Sequence, residues 1–376
     1  MLLMMAEVLS FCSVAQHFPG NSFWGFLCHQ QSHVEWVGCV LHDMIQPSFS
    51  FLVGVSLPFS ILNRTARGQA QGAMIVHAFG RALILTLLGV FLRSTHSTIS
   101  NWTFEDTLSQ IGLGYGFLFA LGFRPARDQW IALGAILLGY WGWFAAYPLP
   151  AADADLAKVG VTAEWLRDHG FKGFAAHWNK NTNPAWAFDT WFLNLFQRLK
   201  PFTHNGGGYS TLSFIPTLGT MILGLIAGGI LRDSRPPTAK IRWLLIAGAI
   251  SLAAGWTLGA LGICPVVKKI WTPSWVLFSG GWCFLMLAGF YAIIDFRQYR
   301  SWSLPLMVIG MNSIAAYSIA HLFDGFIFKN LKTHLGQNFF QLFGMPYERL
   351  FHGATVLLIF WWILFWMYRR KIFLRI

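Results

Sequence analysis

Between residues 29 and 47 this chain gathers more reactive side chains than anywhere else: His29-Gln-Gln-Ser-His33-Val-Glu-Trp36-Val-Gly38, then His42-Asp43-Met-Ile-Gln-Pro47. Imidazole titrates near neutrality, so it can take a proton from an attacking amine or hydroxyl and return it to a leaving group. His29 and His33 stand four apart and would share a helical face, with Asp43 as a third metal ligand. No HExxH or comparable pattern fixes such a ligand set, and the five cysteines form no CxxC pair, so no metal is expected. Three ionisable groups fall in or beside apolar runs: Asp43 again, and Glu7 and Arg81. A charge at that depth costs several kcal/mol unless it is paired or faces a wet cavity, which makes each a functional candidate. Glu7 and Arg81 could equally be each other's partner, a pairing that needs no catalytic reason.

The elements that must position these groups are membrane helices. A chain of 376 residues that is 55% hydrophobic, 17% aromatic and only 11% charged is too apolar for a soluble globule, where about a quarter of residues are charged. Apolar runs of about 18 residues or more, enough for a helix to cross the hydrocarbon core, recur along nearly the whole length. Ten helices are expected, near residues 1–15, 40–62, 75–93, 106–123, 129–148, 209–231, 241–263, 273–294, 302–328 and 350–368. The short alternating segments of a β-barrel are absent. The expected fold is therefore an all-α polytopic membrane helix bundle, a single domain over 1–376 with one long extracytoplasmic loop at 149–208.

The net charge of +12 is a topology signal here and not a nucleic-acid signal. One set of alternate loops holds Arg64 and Arg67, Arg124 and Arg127, Arg232, Arg235, Lys240 and Arg242, Arg297 and Arg300, then Arg369, Arg370, Lys371 and Arg375. The positive-inside rule places that face, and both termini, in the cytoplasm, of the inner membrane if the source is bacterial. The run opening at Met1 lacks a basic n-region and a small-residue cleavage site, so it reads as a short first helix that has lost its start, not as a signal peptide. In the long loop, 153–169 suits a short helix, whereas 179–184 and Asn205-Gly-Gly-Gly208 read as loop. Cys28, Cys39 and Cys264 fall near the outer face, where a disulfide is permitted, but unpaired buried thiols are the favoured reading. Exposed aromatics leave membrane lipid as a partner and a lipid-facing homodimer open.

Four stretches together resemble a known family over almost the entire chain. His33-x-x-Trp36-x-Gly38 with Asp43-x-x-x-Pro47 matches an H-x-x-W-x-G and D-x-x-x-P stretch, continued by Phe49 to Gly54. Gly310-Met311-Asn312-Ser313-Ile314 with Tyr317 is similar to a G-M-N-S-I block. Lys269-Ile-Trp271-Thr-Pro-Ser274-Trp275 is close to a K-x-L-W-x-x-S stretch, with the lysine two rather than three positions before the tryptophan. Tyr368-Arg-Arg-Lys371 to Ile376 mirrors a closing segment. The family is that of heparan-α-glucosaminide N-acetyltransferase and its bacterial relatives.

The resemblance implies transfer of an acetyl group from cytoplasmic acetyl-CoA to an amino sugar or related glycan on the other side, with His33 in the catalytic position. Glu7 or Asp43 would orient the imidazole, and Asn312 or a backbone N–H would stabilise the oxyanion. Arg81, Arg64 and Arg67, with Asn312 and Ser313, are the candidates for holding coenzyme A, whose phosphates suit forked guanidinium donors. Trp36, His29 and Tyr209 are the candidates for the acceptor. Glu7 aligns where the family has an asparagine, Leu108-Ser-Gln110-Ile-Gly112 loses an arginine, His321 is displaced by about one residue, and Gly206-Gly-Gly-Tyr209 loses two acids. The acceptor side departs most, so heparan sulfate is not carried over. Two rivals share the composition: a proton-coupled transporter, which would not release thiol from acetyl-CoA, and an O-acetyltransferase of envelope polysaccharide.

Overall fold

The computed structural model describes residues 1–151 and 153–374; Arg375 and Ile376, counted above in the basic face and the closing stretch, lie outside the described residues. Among the described residues the regular structure is helical, with extended pairing limited to one antiparallel bridge between Val37 and Val267. Among the described residues seven helices are long and apolar enough to cross a membrane: Leu41–Ala66, Gln71–Ser94, Ala126–Ala146, Thr211–Arg232, Pro237–Ala260, Pro273–Phe296 and Met345–Arg369. Leu2–His17 and Thr107–Leu121 are shorter apolar helices. All ten expected runs are therefore helical, with seven or eight full spans.

The run expected as one helix at 302–328 is the exception, because it breaks into Ser301–Met311 and Ser313–Leu335, bent by 70°. Asn312 sits at the break with φ −124° and ψ 41°, outside the helical region. Its side chain compensates for the interrupted ladder elsewhere: the amide donates to the Ile372 carbonyl at 2.8 Å and its oxygen accepts the Leu374 N–H at 3.0 Å.

The chain forms two compact units. One comprises residues 46–292 and 35–38. In it the Ile45–Ala66 and Phe214–Arg232 helices meet through backbone: a Cβ on Gly224 would lie 1.9 Å from the Phe51 carbonyl oxygen, one on Gly228 2.3 Å from that of Val55, and one on Gly54 1.9 Å from that of Met221. Only glycine permits that approach. The Thr107–Leu121 helix starts at Asp106, whose carboxylate caps the N–H groups of Leu108 and Ser109 at 2.9 and 3.3 Å and also accepts the Ser109 hydroxyl at 2.7 Å. That is the usual way an aspartate satisfies the orphan donors of a first turn.

The long loop of this unit is a folded cap. Ala163–His169 is capped by Thr162, and Pro184–Phe192 begins at Pro184 with Asn183 as its cap; a proline suits a first helical position, where its missing N–H would have no partner anyway. Trp36, Phe144, Val161, Trp165, Trp178, Leu212, Val267 and Ile270 form a common core beneath it. Inside the cap, Asp189 is buried; its Oδ2 accepts the Thr211 N–H at 2.9 Å while Oδ1 has no partner among the described residues. Burial pushes its carboxyl up to about 7. A folded-state pKa raised above the unfolded value favours the folded state below about pH 4, and that gain drains away as pH rises towards 7. Between pH 5 and 8 the wild type should lose about 2 kcal/mol relative to Asp189→Asn. Thermal unfolding of both proteins across that range checks this; parallel curves would contradict it.

The other unit comprises residues 1–34 and 39–45 with everything from Ile293 onward. Its core is Met5, Val308, Ile309, Ala315, Ala316, Val356, Phe360 and Leu364. The Glu348–Arg369 helix packs against the first turns so closely that a Cβ on Gly353 would lie 1.9 Å from the Val8 carbonyl oxygen. The expectation of unpaired thiols is corrected here: Cys12 and Cys28 form a disulfide. Cys12 falls in the first expected helix, near residues 1–15; the run ends at His17 and Ser22–Gln31 folds back beside it, which brings the two thiols together.

Candidate active site

The segment bearing His33 is held at both ends. Asn21 caps Ser22–Gln31 by accepting the N–H groups of Phe23 and Trp24 at 3.1 and 3.2 Å. At the other end Gln31 accepts the Phe11 N–H at 2.7 Å and donates to the Ala6 carbonyl at 2.9 Å, while Gln30 accepts the Leu41 N–H at 2.9 Å. With the Cys12–Cys28 disulfide, these tie the hairpin that presents His33 to the short turn Leu41–Met44.

That turn carries Asp43. Its carboxylate is fully buried and collects three donors: the His33 imidazole Nδ1 at 2.7 Å on Oδ1, and the Val34 and Val40 N–H groups at 3.4 and 3.3 Å on Oδ2. These contacts fix the carboxylate and, through it, the imidazole plane. His33 remains 43% exposed. His42 lies against it, ring centroids 4.6 Å apart and tilted by 59°.

The other expected site residues are distributed differently. His29 is exposed on the helix Ser22–Gln31. Glu7 lies in the turn Ala6–Leu9 with its side chain exposed. Of the two groups weighed for orienting His33, Asp43 is the one whose carboxylate meets the ring. Trp36 is 1% exposed, donates its indole N–H to the Trp178 carbonyl at 3.1 Å and stands edge-on to Trp165. It is a core residue of the cap and has no open face for an acceptor. Tyr209 is half-buried with the Lys269 ammonium 5.8 Å above its ring. Among the described residues no group of three His, Cys, Asp or Glu is placed to hold a metal ion.

Among the donor-side candidates, Arg81 is half-buried in Gln71–Ser94. It donates from Nη1 to the Tyr115 hydroxyl at 3.0 Å and stacks 5.0 Å over that ring, leaving a buried Nε–H unpartnered among the described residues. Arg64 and Arg67 lie at the end of the Ile45–Ala66 helix and in the turn after it. Asn312 is buried with its amide committed to Ile372 and Leu374, so its side chain clamps the C-terminal segment, and Ser313 opens the helix after the break.

The sequence reading missed one cluster. Glu35, two residues beyond His33 in the chain, accepts the Trp165 indole N–H at 3.0 Å and the Lys269 ammonium at 3.4 Å, with the Lys180 ammonium at 3.8 Å. Burial works against its ionisation, but Lys269, Trp165 and Lys180 outweigh it and hold its carboxyl below the usual range. The only sequence signal was a charged residue inside His33-Val-Glu35-Trp36.

The fold and these contacts define an integral membrane protein of helical spans that carries a buried carboxylate locked to a half-exposed imidazole. No family model matches the sequence. The chain is 24% identical over 410 residues to heparan-alpha-glucosaminide N-acetyltransferase from Homo sapiens, covering 96% of this chain and 57% of that protein. It is 23% identical over 332 residues to the protein of the same name from Mus musculus, covering 80% and 50%. The chain thus spans about half the length of the curated relatives it matches, and it is a distant relative of them, as the His33 and Asn312 blocks imply.

Proposed function

We propose that this chain is a membrane-bound acetyltransferase that moves an acetyl group from acetyl-CoA, entering from the arginine-rich cytoplasmic face, to the amine of a sugar on the opposite side. The observation that carries the reading is the contact between the His33 Nδ1 and Asp43. With Nδ1–H donating to the carboxylate, the neutral ring presents Nε2 as its basic nitrogen. The acceptor amine attacks the thioester carbonyl as Nε2 takes its proton; collapse of the tetrahedral intermediate breaks the C–S bond and His33 returns the proton to the departing thiolate. The products are the acetamide and free coenzyme A. Asp43 steadies the imidazolium formed in between. On the donor side, the unpartnered Arg81 Nε–H with Arg64 and Arg67 supplies guanidinium groups for phosphate oxygens.

The test is amine-dependent release of free thiol from acetyl-CoA by the purified chain. Thiol release with glucosamine but not with N-acetylglucosamine supports N-acetyl transfer; equal release with both acceptors points to hydroxyl acylation, and none with either overturns the reading. Asp43→Asn should lower kcat about a hundredfold or more with little change in KM, because the ring loses its tautomer bias. Unchanged turnover would remove Asp43 from the mechanism. Radiolabel retained on protein exposed to acetyl-CoA without acceptor would replace the general base with an acetyl-imidazole.

A further inference from the structure

The loop after the Gln71–Ser94 span and the end of the cap enclose an open cleft of about 460 Å³, lined by residues 96–102 and 197–200. None of the donor or acceptor candidates lines it, and neither does any acid. Its fixed cations are Arg198 and Lys200, with the His96 ring beside them. Arg198 is held in place: Nε donates to the Leu193 carbonyl at 2.7 Å, Nη2 donates to the Trp102 carbonyl, and the guanidinium lies 5.3 Å over the Phe202 ring. Its Nη1 has no acceptor among the described residues. The acids that act on Arg198, Glu105 and Asp189, are bonded elsewhere, to the Asn205 amide at 2.6 Å and the Thr211 N–H at 2.9 Å. On the other wall, the Ser94 hydroxyl closes the loop by accepting the Asn101 N–H at 2.9 Å. Trp102 stacks on Phe196 with ring centroids 4.9 Å apart, which joins the two walls.

The place of the cleft along the span points to its occupant. Gln71–Ser94 has 24 residues, about 36 Å at 1.5 Å per residue, slightly more than a hydrocarbon core. The loop that follows it therefore emerges at headgroup level. The cap segment leading into the opposite wall carries Trp191, Leu195 and Leu199, which are 61, 63 and 75% exposed. Apolar side chains so bare are unfavourable against water and favourable at the acyl boundary, where tryptophan is enriched. Two cations, the hydroxyls of Ser97, Thr98 and Ser100, and adjoining apolar side chains match a phosphodiester with its glycerol and the first carbons of its acyl chains. A soluble anion would use the cations and leave Trp191, Leu195 and Leu199 with no role.

We propose that this cleft binds the headgroup of an anionic phospholipid, with Arg198 and Lys200 on the phosphate and the exposed apolar side chains in the acyl boundary beside it. The site is independent of the acetyl-transfer reading. The test places the full chain in phosphatidylcholine nanodiscs with a trace of phosphatidylglycerol carrying a photoactivatable headgroup, and maps the crosslinked peptides. Label at 96–102 or 197–200 should exceed that from an equivalent phosphatidylcholine probe about tenfold, and the excess should shrink as salt rises. Unlabelled phosphatidylglycerol should displace it, whereas glycerophosphoglycerol, the same headgroup without acyl chains, should not. Lys200→Gln, at an exposed position, should lower the excess several-fold, Lys200→Arg should keep most of it, and Arg198→Gln combined with Lys200→Gln should erase it. Equal labelling by the two probes in the wild type, a comparison that needs no variant to fold, would overturn the proposal. So would label confined to the arginine-rich loops, or an excess that survives the double substitution. Displacement by glycerophosphoglycerol would make the cleft a site for a soluble anion and overturn it as a lipid site.

Discussion

His33→Ala should reduce acetyl-CoA-dependent turnover by about 10²- to 10⁴-fold, the range that a positioned general base supplies, while the protein still folds. The imidazole is 43% exposed, so its removal takes away little packing. What it does remove is the ring that contacts Asp43, and with it the basic nitrogen that in the proposed reaction takes the amine proton as the C–N bond forms. Asp43 keeps the Val34 and Val40 N–H groups, so the turn before the Ile45–Ala66 helix retains its scaffold. Thermal unfolding within a few degrees of wild type, together with the lost turnover, is the expected pair of results. Retained turnover would move the chemistry elsewhere.

Gly224→Val should be the most damaging substitution to the fold, costing about 3 kcal/mol or more. A Cβ at 224 would lie 1.9 Å from the Phe51 carbonyl oxygen, and the same seam is closed from the other side by Gly54 and four residues on by Gly228. The obstruction is backbone on both helices, so no rotamer change relieves it; the helices must part, and the contacts along the whole seam go with them. In lipid or detergent that close fit is the main attraction available between two apolar helices. Gly229→Ala, one position away, meets nothing within 4 Å and should be neutral or slightly stabilising. Unfolding midpoints of the two variants in the same detergent decide the matter, and a Gly224→Val protein as stable as Gly229→Ala would refute the seam.

Much of this molecule was legible before any coordinates, and the rest was hidden for identifiable reasons. Apolar run length reports the helices directly, which is why all ten runs are helical. It is blind to the break at Asn312, because Met311 and Ser313 flank it in an unbroken apolar stretch and the bonds that favour the break reach Ile372 and Leu374, far along the chain. Run length also gave no hint that Cys12 and Cys28 come together. The local spacing of His33 and Asp43 drew attention to the hairpin, and the structure adds which ring nitrogen meets which oxygen. Trp36 is an acceptor candidate only through the H-x-x-W-x-G resemblance; its burial comes from Trp165 and Trp178, well over a hundred residues away. The Lys180 and Glu35 cluster joins residues separated by a similar distance in sequence, so no local pattern could have announced it.

The central claim is transfer across the membrane by way of His33. In sealed vesicles with the arginine-rich loops facing outward, acetyl-labelled acetyl-CoA is supplied outside and glucosamine is trapped inside. Labelled N-acetylglucosamine accumulating inside with wild-type protein, and not with His33→Ala, is the predicted result. Label appearing only on acceptors in the outer compartment, or no labelled product at all, would contradict it.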